Sequence, residues 1–284
     1  VITIYFGVEL ECGLNTSKVG NISVGDYHSG NVFSRYWKAE HDGSLYLEKW
    51  RGNEAIAVEF VSHKFKEADV DKVLNNFRKE IFKRAGKKLE LDEVLDLNSS
   101  CGLHIHFSHP AVDSMFFIHP LFYRKVRKKF VKDLREKFPD LYGSVMKHYF
   151  RRYAKRAWAN FYSDRYSEFN LTDNENGLEW RSINALGAKK WSELFGIIKL
   201  AIGALLFAYD CGVKNKFLVK NRISFKSEDM EDRELADGQL IVDVDRQLLH
   251  DDLVIDNDGD DDNPRSVSED WLTDYENWMR LFRH

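Results

Sequence analysis

"FGVELEC", residues 6–12, sets two glutamates into a run that otherwise reads as a buried strand. Successive side chains on a strand point to opposite faces, so residues two apart share a face. Ile2, Ile4, Phe6, Val8 and Leu10 then make one unbroken apolar face, and Glu9 and Glu11 point the other way beside Gly7. Carboxylates in such a segment are costly unless something cationic receives them. What receives Glu9 and Glu11 decides how the segment is used.

Three further segments repeat the pattern. In "NEAIAVEFVSH" (53–63), Ile56, Val58 and Phe60 face one way, while Glu59 shares the other face with Ala55 and Ala57. In "CGLHIHFS" (101–108), Cys101, Leu103, Ile105 and Phe107 oppose Gly102, His104, His106 and Ser108. In "GLEWRSIN" (177–184), Leu178 and Trp180 alternate with Glu179 and Arg181. One ExE or HxH proves little. Four strands that put acids, imidazoles and an arginine opposite their apolar residues are harder to produce as ordinary surface. If they share one antiparallel sheet with helices on its apolar side, the charged face becomes the floor of a polar cleft.

The remaining sequence fits around that sheet. The first strand runs about 1–11, and a turn-rich connection follows. "RYWKAEHDGSLYLEKW" (35–50) reads as a hairpin with Asp42-Gly43 as its turn. Residues 67–85 form a helix on Val70, Val73, Leu74, Phe77, Ile81 and Phe82, stopped by Gly86. Two or three helices occupy 113–156, with Pro120 and Pro139 as punctuation. "RYSEFNL" (165–171) is another strand, and 190–211 is a buried helix closed by Gly212. A last amphipathic helix spans 268–282. The expected fold class is α+β, an antiparallel sheet with helices packed on its apolar face. The expected organisation is one domain over 1–284, with an acidic insertion or lid at about 227–265.

Composition narrows the function. The chain has 284 residues, enough for a sizeable core, and its net charge of -4 disfavours wholesale nucleic-acid binding. Cys12, Cys101 and Cys211 are odd in number and lack a CxxC pair, which fits a reducing compartment. The opening run is too short and too acidic to read as a signal peptide. "LFGIIKLAIGALLFAY" (194–209) is below spanning length and contains Lys199, so no membrane association is expected, and the location is read as cytoplasmic. The basic run at 124–156 and the acidic run at 228–262 read as solvated faces. The sharper alternatives are a basic lip for an anionic or large acidic partner and an acidic flap over it.

Three carboxylates clustered without cations would repel one another, which implies a metal. Carboxylates with one or two imidazoles and no thiolate suit Mg²⁺ or Mn²⁺ better than structural zinc. Mg²⁺ held by a few carboxylates commonly bridges substrate phosphates, and Arg181 adds a bidentate donor for phosphate oxygens. The face reads as a site for a metal-bound nucleoside triphosphate.

"GVELE", "DGSL" followed by "VEFVS", "NSSCGLHIHF", "RYSEFNL" and "LEWRSIN", in that order, resemble the amidoligase family, carboxylate–amine ligases that share the glutamine synthetase-like fold. The resemblance covers residues 5 to about 187 and implies that the antiparallel sheet is curved. "NSSCGLHIH" is its most telling part, similar to the Asn-Gly-Ser-Gly-Met-His-x-His strand of glutamine synthetases. It implies an enzyme using ATP and Mg²⁺ or Mn²⁺, in which phosphorylation of a substrate carboxylate gives an acyl phosphate that an amine attacks to form an amide. The metal ligands it implies are Glu9, Glu11, Glu59, His104 and Glu179. His106 falls nearer the nucleotide, Arg181 on phosphate, and Arg165 on substrate or phosphate, with Asn170 nearby. Asp42 sits where these sequences carry "DGSL", and shaping the turn is its competing role. The acidic stretch matches no family motif, and neither the carboxylate nor the amine follows from the resemblance. Three other readings compete: phosphorylation of a guanidino group on a related fold, a two-metal hydrolase or nuclease using the basic run, and a non-catalytic module retaining the fold.

Overall fold

The structure, a computed structural model, describes residues 4–50, 54–109, 120–147, 168–171 and 177–214. The chain divides into two compact units, Val1–Asp210 and Cys211–His284. The sheet and its site lie in the first. The expected acidic lid and the helix at 268–282 fall outside the described residues, as do Arg165 and the part of the basic run beyond residue 147.

The alternating segments form one open antiparallel sheet, and the class is α+β. Its strands are β1 (Tyr5–Asn15), β2 (Asn31–Ser34), β3 (Trp37–Glu40), β4 (Ala55–Ser62), β5 (Leu95–Asp96), β6 (Leu103–Ser108), β7 (Phe169–Leu171) and β8 (Gly177–Ile183). They run in the order β2-β3-β4-β1-β6-β8-β7, with β5 added beside β1. Direct pairing fixes which residues share a face. Glu40 pairs with Glu59, Glu59 with Glu11, Glu9 with His104, His106 with Glu179, and Glu179 with Asn170. A register shift between Leu103 and Ile105 lets β8 follow β6.

Helices cover the apolar face, and two single-turn helices, α1 (Thr16–Val19) and α3 (Leu91–Val94), join the connections. α2 (Val70–Ala85) buries Val73, Leu74, Phe77 and Ile81. Phe77 packs on Phe33, Trp37 and Phe60 of β2, β3 and β4, and the Trp37 indole N–H donates to the Val73 carbonyl at 3.0 Å. A single 3₁₀ turn, Glu67–Asp69, precedes it, and Gly86 ends it in the left-handed region. α4 (Pro120–Lys137) and α5 (Pro139–Lys147) each begin at the expected proline, whose missing N–H costs nothing in a first turn. Phe130 of α4 meets Trp180 edge-on at 5.2 Å, and Phe169 stacks on the same ring. α6 (Trp191–Lys214) buries Leu194, Ile197, Ile198, Ala201 and Leu205. With these helices on one side, the other side of the sheet keeps its charges.

Several expectations are corrected. β1 continues to Asn15, because Gly13 and Leu14 pair with β5 on one side and with β4 on the other. The 35–50 hairpin does not form: β3 lies between β2 and β4, and 44–50 is not a strand. Side chains hold that segment instead. The Glu48 and Lys49 amides both donate to Asp96 Oδ2, and Asn98 donates to the Tyr46 carbonyl. α6 does not stop at Gly212 but runs to Lys214. It also contains a 21-residue stretch, Trp191–Cys211, long and apolar enough to cross a membrane, against the expectation of a sub-spanning helix. Of its most apolar window, 56% is buried inside the protein, as a core helix would be.

Candidate metal and phosphate site

β1, β4, β6 and β8 bring seven of the sequence-selected side chains together: Glu9, Glu11, Glu59, His104, His106, Glu179 and Arg181. His104 is central. Its Nδ1 lies 3.1 Å from Glu9 Oε2 and 3.2 Å from Glu179 Oε1, and its Nε2 lies 3.6 Å from Glu11 Oε1. His106 Nε2 is 2.8 Å from Glu9 Oε1. The Gly102 amide donates to Glu11 Oε2 at 2.5 Å. Arg181 Nη1 donates to Glu179 Oε1 at 2.7 Å, and Asn170 Nδ2 donates to Glu179 Oε2 at 3.2 Å. Glu9 and Glu11 are thus received, in the protein alone, by two imidazoles and a backbone amide. A metal is not the only way to compensate these acids, as the sequence argument assumed.

The electrostatics follow from that geometry. Burial alone would raise every carboxyl on the face. For Glu9 the hydrogen bonds and charges of His104 and His106 overcome it, holding the group well below the usual range. Glu179 is likewise brought to about 2, against burial, by His104 and then by the Arg181 charge. Glu59 has no such donor among the described residues. Burial and then the Glu9 charge lift it to about 9. Burial also raises Glu11, and Asp42 pushes the same way. Both imidazoles resist burial and are raised, His104 by Glu11 and its carboxylate hydrogen bonds, His106 by Glu9. At neutral pH the ion-free site therefore stores protons on His104 and Glu59.

Two ligand triads lie within this cluster. Glu9, Glu59 and His104 offer one, and Glu9, His106 and Glu179 the other, each with all ligand atoms within 4.8 Å of one another. Glu9 belongs to both. Glu11 falls outside both triads and is tied to Gly102. Oxygen-rich triads with one imidazole each fit Mg²⁺ or Mn²⁺. Cys12 and Cys101 are buried, and by strand alternation they lie on the opposite, apolar face. Arg181 fits an anion: its Nε is buried with no hydrogen-bond partner among the described residues. Asp42 accepts the Ser44 amide at 2.7 Å, which shapes its turn, while its charge still reaches Glu11 and Glu59. The sequence reading passed over Glu40, a buried acid on the same face. The signal was the alternation of Trp37 and Ala39 with Lys38 and Glu40, only four residues long.

No family model matches the chain, and no curated protein matches it. Among solved structures it is similar to glutamine synthetase from Plasmodium falciparum seen by cryo-electron microscopy, with 11% identity and a TM-score of 0.37. The match covers 72% of this chain and 52% of that one, so the chain spans about half the length of that neighbour.

Proposed function

We propose that this chain is an ATP-dependent carboxylate–amine ligase with a glutamine synthetase-like fold, working in the cytoplasm with Mg²⁺ or Mn²⁺. One observation carries the reading: four antiparallel strands bring Glu9, Glu11, Glu59, His104, His106, Glu179 and Arg181 onto one face, opposite the helices. Glu9, Glu59 and His104 would hold one ion, and Glu9, His106 and Glu179 a second. Such ions neutralise phosphate charge and polarise phosphoryl oxygens.

The chain's own groups do the positioning. Activating a carboxylate by phosphoryl transfer asks little covalent chemistry of the protein and much placement of charge. Arg181 is half-buried and bonded to Glu179, so its guanidinium is held in place, with the buried Nε left to bond an anionic oxygen. Asn170 fixes the second oxygen of Glu179. Arg165 is assigned to substrate or phosphate in this reading, and Asp42 to the acceptor side. The carboxylate and the amine are then small molecules or side chains of a larger, anionic partner.

The test is ADP release with Mg²⁺ against pooled carboxylates and amines. Release that needs one compound from each pool, and that disappears in Glu9→Gln and Arg181→Ala, supports the ligase. Release surviving both changes removes the site. Cleavage of RNA or DNA without ATP favours the nuclease reading instead.

A further inference from the structure

β3 places Glu40 on the polar face as the direct partner of Glu59. It is 5% exposed, yet it joins neither ligand triad. Its oxygens are taken by backbone amides, Oε2 by His28 at 2.8 Å and Oε1 by Gly30 at 3.3 Å. Those amides belong to the turn Asp26–Gly30, which is fastened at its base as well. Gly25 donates to the Ala39 carbonyl at 3.0 Å and accepts from the His41 amide at 2.9 Å. The turn lies so close on Glu40 that a Cβ at Gly30 would sit 2.4 Å from Glu40 Cγ. His28 has φ of 65°, the only positive φ at a non-glycine among the described residues. That conformation is disfavoured once a Cβ is present, so the surrounding bonds impose it. What this fastened turn presents is an aromatic pair: Tyr27, 53% exposed, with its ring centroid 3.8 Å from that of His28.

We propose that Glu40 is a positioning residue, and that the turn it fastens is the specificity wall of the cleft on the β3 side, where Tyr27 stacks against an unsaturated or hydrocarbon body of the co-substrate. Neighbouring strands lie about 4.8 Å apart, so a turn resting on Glu40 borders the ion-binding floor at Glu59. Charge divides the face in the same sense. Arg181 on β8 is the side for anionic oxygens, which leaves the β3–β4 side to the organic part of the second substrate. A tyrosine on a fastened turn supplies contact area at low entropic cost, which suits a wall that selects. The inference rests on the ligase reading for the identity of the cleft.

Thermal-shift titrations of the full chain separate the two. Mg²⁺ with the non-hydrolysable ATP analogue AMP-PNP is added first, then the pooled carboxylates and amines, to wild type, Tyr27→Ala, Tyr27→Phe and Glu40→Gln. Equal AMP-PNP shifts in all four proteins are expected. A pooled compound should bind at least tenfold more weakly to Tyr27→Ala and Glu40→Gln and normally to Tyr27→Phe. Amide exchange over 26–30 should quicken in Glu40→Gln alone. A compound that binds Tyr27→Ala as tightly as wild type overturns the wall, and so does a wild type that binds no pooled compound. A wild type indifferent to Mg²⁺ and AMP-PNP strikes the ligase reading instead, and the wall is then judged on the pooled compounds by the same criterion.

Discussion

Burial lifts the Glu59 carboxyl to about 9, and the Glu9 charge pushes in the same direction. The folded protein therefore holds a proton at Glu59 that the unfolded chain, titrating near 4.5, releases. Stability from that proton is complete below about 4.5 and is lost as pH rises through about 9. Glu179, held at about 2, works oppositely: its contribution is present above 4.5 and fades as pH falls toward 2. Metal-free protein should thus lose stability progressively between pH 6 and 9, by on the order of a few kcal/mol in total, with its melting temperature falling in step. Glu59→Gln should flatten that slope and raise the melting temperature at pH 8, as read by calorimetry in EDTA. Gly102 gives a second test at this scale. A Cβ there would lie 2.8 Å from both Glu11 Oε2 and His104 Nε2. Gly102→Ala should keep its fold while Mn²⁺ affinity, measured by titration calorimetry, falls about tenfold, or ~1.4 kcal/mol. Unchanged affinity would show that Glu11 and His104 need not sit where they do.

At the scale of elements, α2 clamps the β2–β4 side of the sheet through one ring. Phe77 touches Phe33, Trp37, Phe60 and Trp191. Phe77→Ala should cost roughly 3–5 kcal/mol in urea unfolding. Its metal affinity, measured under folding conditions, should stay near wild type, because the ring lies on the far side of the sheet from Glu59. The periodicity of 3.6 made α2 legible, and the period of two made β1, β4, β6 and β8 legible along with the inward or outward sense of every candidate ligand. β2 and β5 were not legible, since four and two residues cannot establish a period. The missing hairpin has a different cause. Asp42-Gly43 does turn the chain, but Asp96 and Asn98, about fifty positions away, then capture 46–49. Glu40 escaped for the same reason: its role is set by amides of His28 and Gly30 brought over it by the fold.

Across the molecule, strand order turns scattered motifs into a single site, and order is the property local sequence does not encode. β1 lies between β4 and β6, so Glu9 alone reaches both ligand triads. This predicts an asymmetry in metal binding. Wild type should take up two Mn²⁺ per chain in calorimetric or electron paramagnetic titrations. Glu59→Gln should weaken one binding step and His106→Gln the other, each by about tenfold, or ~1.4 kcal/mol. Glu9→Gln should weaken both, because it removes charge from each triad at once. Glu11→Gln should spare the stoichiometry, since Glu11 belongs to neither triad and is bonded to Gly102. Uptake should also release protons and tighten with pH, because the ions displace protons held by His104 and Glu59. A single site, or two sites lost independently of Glu9, would mean that the two triads do not act as one centre, and the shared-ligand geometry of β1 would lose its functional meaning.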